Sequence, residues 1–215
     1  MSSNTQPGYI VVEGPIGVGK TTLAKRLAHA FQSDLMLEQA QDNPFLPRFY
    51  HDPQHAALPT QLFFLFQRAQ QIQSLRQGDL FQSARIVDFL IDKDPLFASL
   101  TLSSEELDLY HQVYGRMTLD APEPDLVIYL QAPVDVLLQR IQTRAIDYEQ
   151  LIDEAYLHRV AEAYVDFFYH YDRSPLLIVN TANINLAEGD QDFRLLVEQI
   201  RDLPLGRHYF NPGVV

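Results

Sequence analysis

Residues 14–22 read GPIGVGKTT, a glycine-rich run between an apolar stretch and a helix-like segment. The run fits the pattern G-x-x-x-x-G-K-[ST], in which glycines let backbone N–H groups turn inward around a polyphosphate. Lys20 is expected to reach the β- and γ-phosphates of a nucleoside triphosphate, and the Thr21 hydroxyl to bind Mg²⁺. A glycine-rich turn without a ligand is the alternative, but strand, loop and helix all fall where the motif needs them. The residues expected around the donor phosphates are Gly14, Pro15, Ile16, Gly17, Val18, Gly19, Lys20, Thr21 and Thr22.

Strand-like and helix-like segments alternate along the chain, which is typical of a mostly parallel sheet covered by helices on both faces. We predict a single α/β domain over residues 1–215, with residues 1–7 as a flexible N-terminus. The five predicted strands are 9–13, 35–38, 84–90, 125–130 and 176–180. The predicted helices are 20–32, 43–50, 58–77, 103–118, 133–144, 153–172 and 190–201.

Acidic residues follow three of the predicted strands. Glu13 leads into the glycine-rich run, Glu38 follows the second strand, and Asp88 lies at the end of the apolar core of the third. Ligands of open α/β sheets bind beyond the carboxyl ends of the strands. These three carboxylates are therefore the natural candidates for chemistry beside the phosphates.

Composition limits the classes of partner. The 215-residue chain has a net charge of −12, so it lacks the broad basic field that binding to a nucleic-acid polymer usually needs. It contains no cysteine, which excludes disulfides and thiolate metal sites and fits a reducing compartment. The apolar runs are short, and we see neither a signal peptide nor a membrane span. The cytoplasm is the expected location.

Two classes of nucleoside triphosphatase fit the sequence poorly. A regulatory GTPase needs an N-K-x-D stretch to bind guanine, and the chain has none. A motor-type ATPase usually carries Asp-Glu at its second acidic strand end, whereas Asp88 is followed by Phe89. A small acceptor of the phosphoryl group is therefore favoured over water.

Four further motifs resemble the deoxynucleoside kinases of bacterial type, and the likeness runs through almost the whole chain. The motifs are LEQAQDNPFLPRFY (37–50), YHDPQHAALPTQ (50–61), DFLIDKDPLFA (88–98) and YLQAPVDVLLQRIQTRAIDYEQ (129–150). The resemblance implies a P-loop kinase fold with an arginine-bearing lid at about 140–150. It also implies ATP as phosphate donor, Mg²⁺ as cofactor and a homodimer.

The first two motifs imply a nucleoside site. Glu38 matches the glutamate expected to act as general base on the nucleoside 5′-OH, a role suited to a carboxylate at a strand end. Tyr50 is expected to bind the sugar 3′-OH, with core packing an equal alternative. Gln61 is expected to bind the base edge through its amide. Arg68, two helical turns after Gln61, resembles the family's arginine near the catalytic glutamate.

The third motif departs from the family pattern. Asp88 resembles the acidic residue that contacts Mg²⁺, but Phe89 and Leu90 replace an arginine and a serine. Lys93 could supply a substitute cation, and a solvated surface lysine is the equal alternative. Two residues of this motif are expected to contact the base, with an aspartate favouring the donor groups of a purine. They are Asp94, for hydrogen bonding, and Phe97, for stacking.

The fourth motif resembles the lid. Arg140 and Arg144 lie one helical turn apart, so both can neutralise a transferring phosphoryl group. Ile146 stands where the family often has a further arginine. Glu149 matches the glutamate expected to bind the sugar 3′-OH. Nearer the end of the chain, Asp192 and Phe193 resemble the loop around the donor adenine.

The combined prediction is ATP-dependent phosphorylation of a deoxynucleoside 5′-OH in nucleotide salvage, with deoxyguanosine or deoxyadenosine favoured. Two alternatives stay open. A nucleoside monophosphate kinase similar to thymidylate kinase shares the fold and the phosphate loop, but needs cations to hold the acceptor's phosphate. A catalytically silent ATP-binding sensor or assembly subunit is suggested by the altered third motif and the thinner lid.

Overall fold

Six parallel strands form the centre of the computed structural model, which describes residues 7–77, 84–118, 121–184 and 189–212. The strand order is β2-β3-β1-β4-β5-β6. The strands are β1 (Tyr9–Glu13), β2 (Asp34–Met36), β3 (Arg85–Val87), β4 (Leu126–Gln131), β5 (Leu176–Asn180) and β6 (Arg207–Phe210). The α/β fold with a parallel sheet is confirmed, and the predicted strand count of five is wrong.

Helices cover both faces of this sheet. They are α1 (Lys20–Phe31), α2 (Leu46–His51), α3 (Pro53–Gln77), α4 (Asp94–Thr101), α5 (Ser104–Met117), α6 (Val134–Arg144), α7 (Glu154–His170) and α8 (Asp190–Arg201). Short 3₁₀ turns lie at Ala40–Asp42, Ile91–Lys93 and Asp147–Leu151. No helix in these described ranges is long and apolar enough to cross a bilayer.

The central strands read as continuous apolar runs because both faces of the sheet are buried. Side chains alternate between the faces, so Ile10 and Val12 pack into one apolar cluster and Val11 into the other. In register, Val11 lies opposite Val87 of β3 and Val127 of β4. These pairings bring β1 between its two neighbours and fix the start of the glycine-rich loop at the centre of the sheet.

The two edge strands of the sheet are the strands that the sequence indicates least clearly. β6 pairs in parallel with β5, but it has only four residues, and Phe210 is its single buried side chain. β2, at the other edge, has three residues and begins with an exposed Asp34. The sequence prediction missed β6 because one buried residue in four gives no apolar run.

Three element boundaries also differ from the prediction. The strand placed at 84–90 ends at Val87, and a helix that was not predicted, α4, follows at 94–101. The helix placed at 43–50 is the shorter α2, which begins at Leu46, and a 3₁₀ turn lies before it at Ala40–Asp42. The helix placed at 58–77 begins at Pro53 and runs through Pro59, although proline usually occupies the first turn. Of the predicted flexible N-terminus, only Pro7 lies within the described residues.

The sheet brings the three predicted carboxylates to one edge. β2, β3 and β1 are neighbours, so the residues after them leave the sheet side by side. The backbone N–H of Asp88 donates to the carbonyl of Met36 at 3.2 Å, and that of Glu38 donates to Oδ1 of Asp88 at 2.6 Å. The acidic cluster is thus a product of strand order.

Candidate active site

The glycine-rich loop turns sharply between β1 and α1. Gly17 and Gly19 have φ of +83° and +104°, a conformation that side-chain-bearing residues rarely adopt. A Cβ at Gly17 would lie 2.8 Å from the carbonyl oxygen of Leu137, whereas a Cβ at Gly19 would meet nothing within 4 Å. Gly17 therefore packs closely on α6, and Gly19 borders open space.

Gly19 also caps α1 without a side-chain hydrogen bond, so the N–H groups of the first turn remain available to an anion. Next to it, the Lys20 ammonium donates to the carbonyls of Gly14 at 2.7 Å and Pro15 at 3.2 Å. Burial, followed by the charge of Lys93, lowers the pKa of Lys20. An incoming polyphosphate would stabilise the charged form of this lysine.

A cavity of about 750 Å³ opens above this loop. Its other walls come from α6 and from the segment after β5, which includes Thr181 and Ile184. Arg140 spans these walls, donating to Oγ1 of Thr181 at 3.0 Å and to its carbonyl at 2.6 Å. The volume, the glycine loop and the helix N-terminus suit a nucleoside triphosphate.

Asp192 and Phe193 lie away from this cavity. Both belong to the first turns of α8, and the Arg26 guanidinium lies 4.0 Å from the Phe193 ring centroid. Among the described residues, the wall of this cavity beyond β5 comes instead from residues 181–184. The structure thus does not bring this pair to the phosphate loop.

Thr21 and Asp88 are the predicted metal ligands, and they lie in direct contact. The Thr21 hydroxyl donates to Oδ2 of Asp88 at 2.6 Å. Burial raises the pKa of Asp88, opposed first by the bond from Thr21. No group of three or more acidic, histidine or cysteine side chains in the described ranges could hold a metal ion. One hydroxyl and one carboxylate beside a phosphate site fit Mg²⁺, which usually keeps waters and substrate phosphates as its other ligands.

A second cavity, of about 490 Å³, lies beyond the carboxyl ends of β2 and β3. Most of the residues predicted to contact the acceptor line it, and with them Lys93 and Ile146. Those predicted residues are Glu38, Tyr50, Gln61, Arg68, Asp88, Phe97 and Glu149. Asp94 is absent from the lining and is only 1% exposed. The structure brings the residues predicted for the acceptor together and places Asp94 behind them.

Arg68 joins Asp94 to Glu38. Its Nε donates to Oε1 of Glu38 at 2.7 Å, and its two terminal nitrogens donate one to Glu38 and one to Asp94. Burial acts to raise the pKa of Glu38, but the charges of Arg68, Lys93 and Lys20 outweigh it and lower that pKa to about 2. Burial raises the pKa of Asp94 to about 6 against the opposing charge of Arg68. Glu38 is thus firmly ionised at neutral pH.

The other acceptor residues offer aromatic faces and one amide. Tyr50 stacks on Tyr148 of the lid, with centroids 6.2 Å apart and planes at 7°. Gln61 is 6% exposed and donates to the Thr101 hydroxyl at 3.3 Å. Phe97 lines the same cavity from α4. A flat, hydrogen-bonding ligand would find both stacking surfaces and a buried amide here.

The segment predicted as the lid lines one side of this cavity. Arg144 is the last residue of α6 and forms an ion pair with Glu149 of the 3₁₀ turn that follows. Ala145, between them, adopts a left-handed conformation with φ of +53° and ends the helix. Arg144 lines both cavities, whereas Arg140 lines only the first. The two arginines therefore have different neighbours despite being one turn apart.

Sequence reasoning noted Glu13 but assigned it no role, and the structure places it at the centre of a buried network. Its side chain is fully buried and accepts hydrogen bonds from the backbone N–H of Gly14 and Leu90 and from the Tyr164 hydroxyl. Lys93, at 2% exposure, binds the same carboxylate and is not a surface lysine. The signal in the sequence was the position of Glu13 directly before the glycine loop.

Known proteins resemble this chain over most of its length. Residues 10–204 match the family model "Deoxynucleoside kinase". The chain is 36% identical to the deoxyguanosine kinase of Bacillus subtilis over 205 residues, covering 93% of this chain and 99% of the relative. It is 30% identical to the deoxyguanosine kinase of Lactobacillus acidophilus, covering 90% and 89%.

A solved structure shares the fold. Deoxyadenosine kinase from M. mycoides, with the products dCMP and a flexible dCDP bound, superposes with a TM-score of 0.79 at 22% identity. The match covers 91% of this chain and all of that one. The glycine-rich loop, the two adjoining cavities and the family match over residues 10–204 agree. The chain belongs to the deoxynucleoside kinase family and is a phosphotransferase.

Proposed function

We propose that this kinase transfers the γ-phosphoryl group of ATP to the 5′-OH of a purine deoxynucleoside, with Mg²⁺ at Thr21 and Asp88. The junction of the two cavities carries the proposal. Gly17, Lys20 and Thr21 of the phosphate loop line both cavities, and so does Arg144 of the lid. A triphosphate in the first cavity and a nucleoside in the second would therefore meet beside these four residues.

Glu38 is the proposed general base. Its Oε1 is held by Arg68, whereas its Oε2 accepts no hydrogen bond from any described residue. Oε2 can thus accept the hydroxyl proton of the acceptor. A carboxylate with a pKa of about 2 is a weak base, which suits a loose transition state in which the proton leaves late, as the oxygen bonds to phosphorus. The carboxylate first orients the hydroxyl and then takes its proton.

Cations on the donor side would stabilise the transferring group. Lys20 lies in the phosphate loop, and Arg144 lies where the two cavities meet. Arg140 is held by the carbonyl of Thr181, which fixes its guanidinium beside the loop. The metal, when bound, would neutralise charge on the phosphate oxygens. Positioning and charge stabilisation supply most of the catalysis of phosphoryl transfer.

A neutral acceptor fits the second cavity better than a monophosphate does. The buried cations there already have carboxylate partners, since Arg68 binds Glu38 and Asp94, and Lys93 binds Glu13. An acceptor phosphate would have to displace one of these buried pairs, which leaves a carboxylate uncompensated. This observation argues against a nucleoside monophosphate kinase.

The base preference rests mainly on Gln61, which lines the second cavity. The buried Gln61 amide can donate and accept at once, as a nucleobase edge requires. Oδ2 of Asp94 has no hydrogen-bond partner among the described residues, but Asp94 lies behind Arg68 and does not line the cavity, so it acts on the base only through Arg68. The relatives named above include two deoxyguanosine kinases, which agrees with a purine preference.

A homodimer in the cytoplasm is part of the same proposal and rests mainly on the family resemblance. Phe66 of α3 and Leu109 of α5 are 45% and 49% exposed in the single chain, and a second copy could cover them. Light scattering on the purified protein would give the mass of the assembly. A mass of one chain at micromolar concentration would contradict the dimer.

The test of the proposed function is an ADP-release assay with ATP and Mg²⁺ over the four deoxynucleosides and their monophosphates. We expect deoxyguanosine or deoxyadenosine to give the highest kcat/KM. Turnover of dTMP without turnover of any nucleoside would support the monophosphate kinase instead. Turnover of pyrimidine deoxynucleosides alone would refute the purine preference while leaving the reaction type intact.

A further inference from the structure

Glu13 and Lys93 form a buried ion pair, and Lys93 lines the second cavity. The Lys93 ammonium lies 3.2 Å from Oε1 and 3.1 Å from Oε2 of Glu13. Lys93 is 2% exposed and Glu13 is fully buried. A lysine is rarely buried unless it is paired, and removing such charges from water is costly. Stability alone therefore does not explain why this ion pair is buried here.

Glu13 is held rigidly in this pair. Its Oε1 accepts from the N–H of Gly14 at 2.9 Å and from the Tyr164 hydroxyl at 2.8 Å, and its Oε2 accepts from the N–H of Leu90 at 2.7 Å. These donors belong to the start of the phosphate loop, the core of α7 and the segment after β3. The carboxylate is thus a fixed anchor whose position depends on the loop that holds the donor.

Lys93 extends from this anchor toward the acceptor side. Its ammonium lies 3.7 Å from Oε1 of Glu38 and lines the second cavity. Arg68 binds the same oxygen of Glu38, so both cations lie on one side of the carboxylate. The other oxygen, Oε2, has no hydrogen-bond partner in the described ranges. Lys93 and Arg68 thus both hold Oε1 and leave Oε2 free, on a residue that lines the second cavity.

The local charges support the same role. Three buried or nearly buried carboxylates, Glu13, Glu38 and Asp94, form ion pairs with two cations, Arg68 and Lys93, and the charge of Lys20 also acts on Glu38. Without Lys93, Glu13 would lose the cation with which it forms its ion pair, and its repulsion of Glu38 would be less compensated and would push Glu38 away from its place. Phe89 and Leu90, in the preceding segment, are buried apolar residues and offer no replacement charge.

We infer that Lys93 is a positioning residue for Glu38, and that Glu13 transmits the position of the phosphate loop to it. The inference rests on the proposed role of Glu38 in accepting the hydroxyl proton. Lys93 and Glu13 would fix the distance between the donor phosphate and the acceptor hydroxyl. Small displacements of reacting groups cost much rate, so this device would act on kcat more than on ligand binding.

The test compares Lys93→Met, Lys93→Arg, Glu13→Gln and the double variant Glu13→Gln with Lys93→Met. Steady-state kcat and KM are measured with ATP, Mg²⁺ and deoxyguanosine, and thermal unfolding is measured on the same samples. Lys93→Met is expected to lower kcat by about tenfold or more, with KM for ATP changed by no more than about twofold. Lys93→Arg keeps the charge and is expected to retain more of the turnover.

The double variant separates positioning from stability. Lys93→Met leaves the Glu13 carboxylate buried and unpaired, which lowers the melting temperature, and Glu13→Gln in addition removes that charge. We expect the double variant to regain melting temperature relative to Lys93→Met while its kcat stays low. Recovery of kcat together with melting temperature would show a purely structural pair and overturn the inference, as would a Lys93→Met enzyme with normal kcat.

The variant Glu38→Gln, measured in the same assays, distinguishes the role of Glu38 as general base from the role of Lys93 in positioning it. An inactive Glu38→Gln enzyme together with a fully active Lys93→Met enzyme would overturn only the positioning role. A fully active Glu38→Gln enzyme would show that Glu38 is not the base. That result would overturn the proposed function of Glu38 and, with it, the positioning role of Lys93.

Discussion

The Thr21 hydroxyl donates a 2.6 Å hydrogen bond to Oδ2 of Asp88, and this bond joins the phosphate loop to the end of β3. The other carboxylate oxygen accepts from the backbone of Glu38. Asp88 therefore contacts both the proposed metal site and the segment that carries the proposed base. Changes at Asp88 can be designed to affect only one of its two oxygens.

The first prediction concerns Mg²⁺. Asp88→Asn keeps an oxygen that can accept from the N–H of Glu38 but loses the charge beside Thr21. The Mg²⁺ concentration for half-maximal rate is expected to rise by about tenfold or more. Titration of activity with Mg²⁺ at saturating ATP measures it. Thr21→Ser, which keeps the hydroxyl, is the matched control, and an unchanged Mg²⁺ requirement in Asp88→Asn would remove Asp88 from the metal site.

The second prediction concerns the proposed base. Glu38→Gln preserves the shape of the side chain but removes its charge, so turnover should fall by a factor on the order of 10² or more. Binding of ATP, followed by calorimetry, should persist because the phosphate loop is untouched. Glu162→Gln makes the same chemical change on the exposed side of α7 and serves as control. Near-normal turnover in Glu38→Gln would contradict the role.

The third prediction concerns the lid. Glu149→Gln weakens the ion pair with Arg144 and removes the carboxylate proposed to bind the sugar 3′-OH. KM for the deoxynucleoside is expected to rise by roughly tenfold, as for the loss of a hydrogen bond to a charged group. Asp147→Asn, in the same 3₁₀ turn and exposed, is the control. Equal KM values in the two variants would place the 3′-OH elsewhere.

The fourth prediction concerns pH and stability. Burial raises the pKa of Asp94 from 3.8 to about 6. Because the folded-state pKa is raised, the stabilising contribution of the neutral carboxyl is complete below pH 3.8 and is lost as pH rises through about 6.

Urea unfolding of the wild type and Asp94→Asn between pH 4 and 7 measures this effect. The free energy of unfolding of the wild type, relative to the variant, is expected to decrease by roughly 3 kcal/mol across that interval. A relative stability that stays constant or increases with pH would show that Arg68 keeps the carboxylate ionised throughout.

The fifth prediction uses two glycines of the phosphate loop. Gly17→Ala combines a positive φ with a contact of 2.8 Å to the Leu137 carbonyl, so it should destabilise the fold by roughly 3 kcal/mol. Gly19→Ala has a similar φ but an open surrounding, so it should cost only about 1 kcal/mol. Chemical unfolding measures both. Equal losses would show that backbone strain alone decides the effect.

The sequence predicts the phosphate loop and the central strands well because their signals are local. Glycine spacing marks the turn at 14–22, and buried parallel strands read as apolar runs. The sequence does not predict β6 because only Phe210 of this strand is buried. It does not predict α4 because the apolar residues Phe89 and Leu90, just before this helix, extend the predicted third strand. Local pattern fails where an element is short or where an apolar segment leaves the sheet.

The site was harder to predict wherever partners are distant in sequence. The burial of Lys93 depends on Glu13, eighty residues earlier, and on Tyr164, which binds the same carboxylate. No spacing rule links these residues, since strand order and the packing of α7 bring them together. Asp94 was expected at the base, but its partner Arg68 holds it behind the cavity wall. Motifs thus predict which residues gather at one cavity better than they predict the contacts between those residues.

The short edge strands determine how the sheet meets other molecules. An unpaired strand edge presents N–H and C=O groups onto which an extended segment of another chain can add. β2 and β6 offer only three and four residues, and each begins with an exposed charged side chain, Asp34 and Arg207. An incoming strand would gain few hydrogen bonds and would have to pass a charge. The sheet is thereby protected at both edges against growth into fibrillar aggregates.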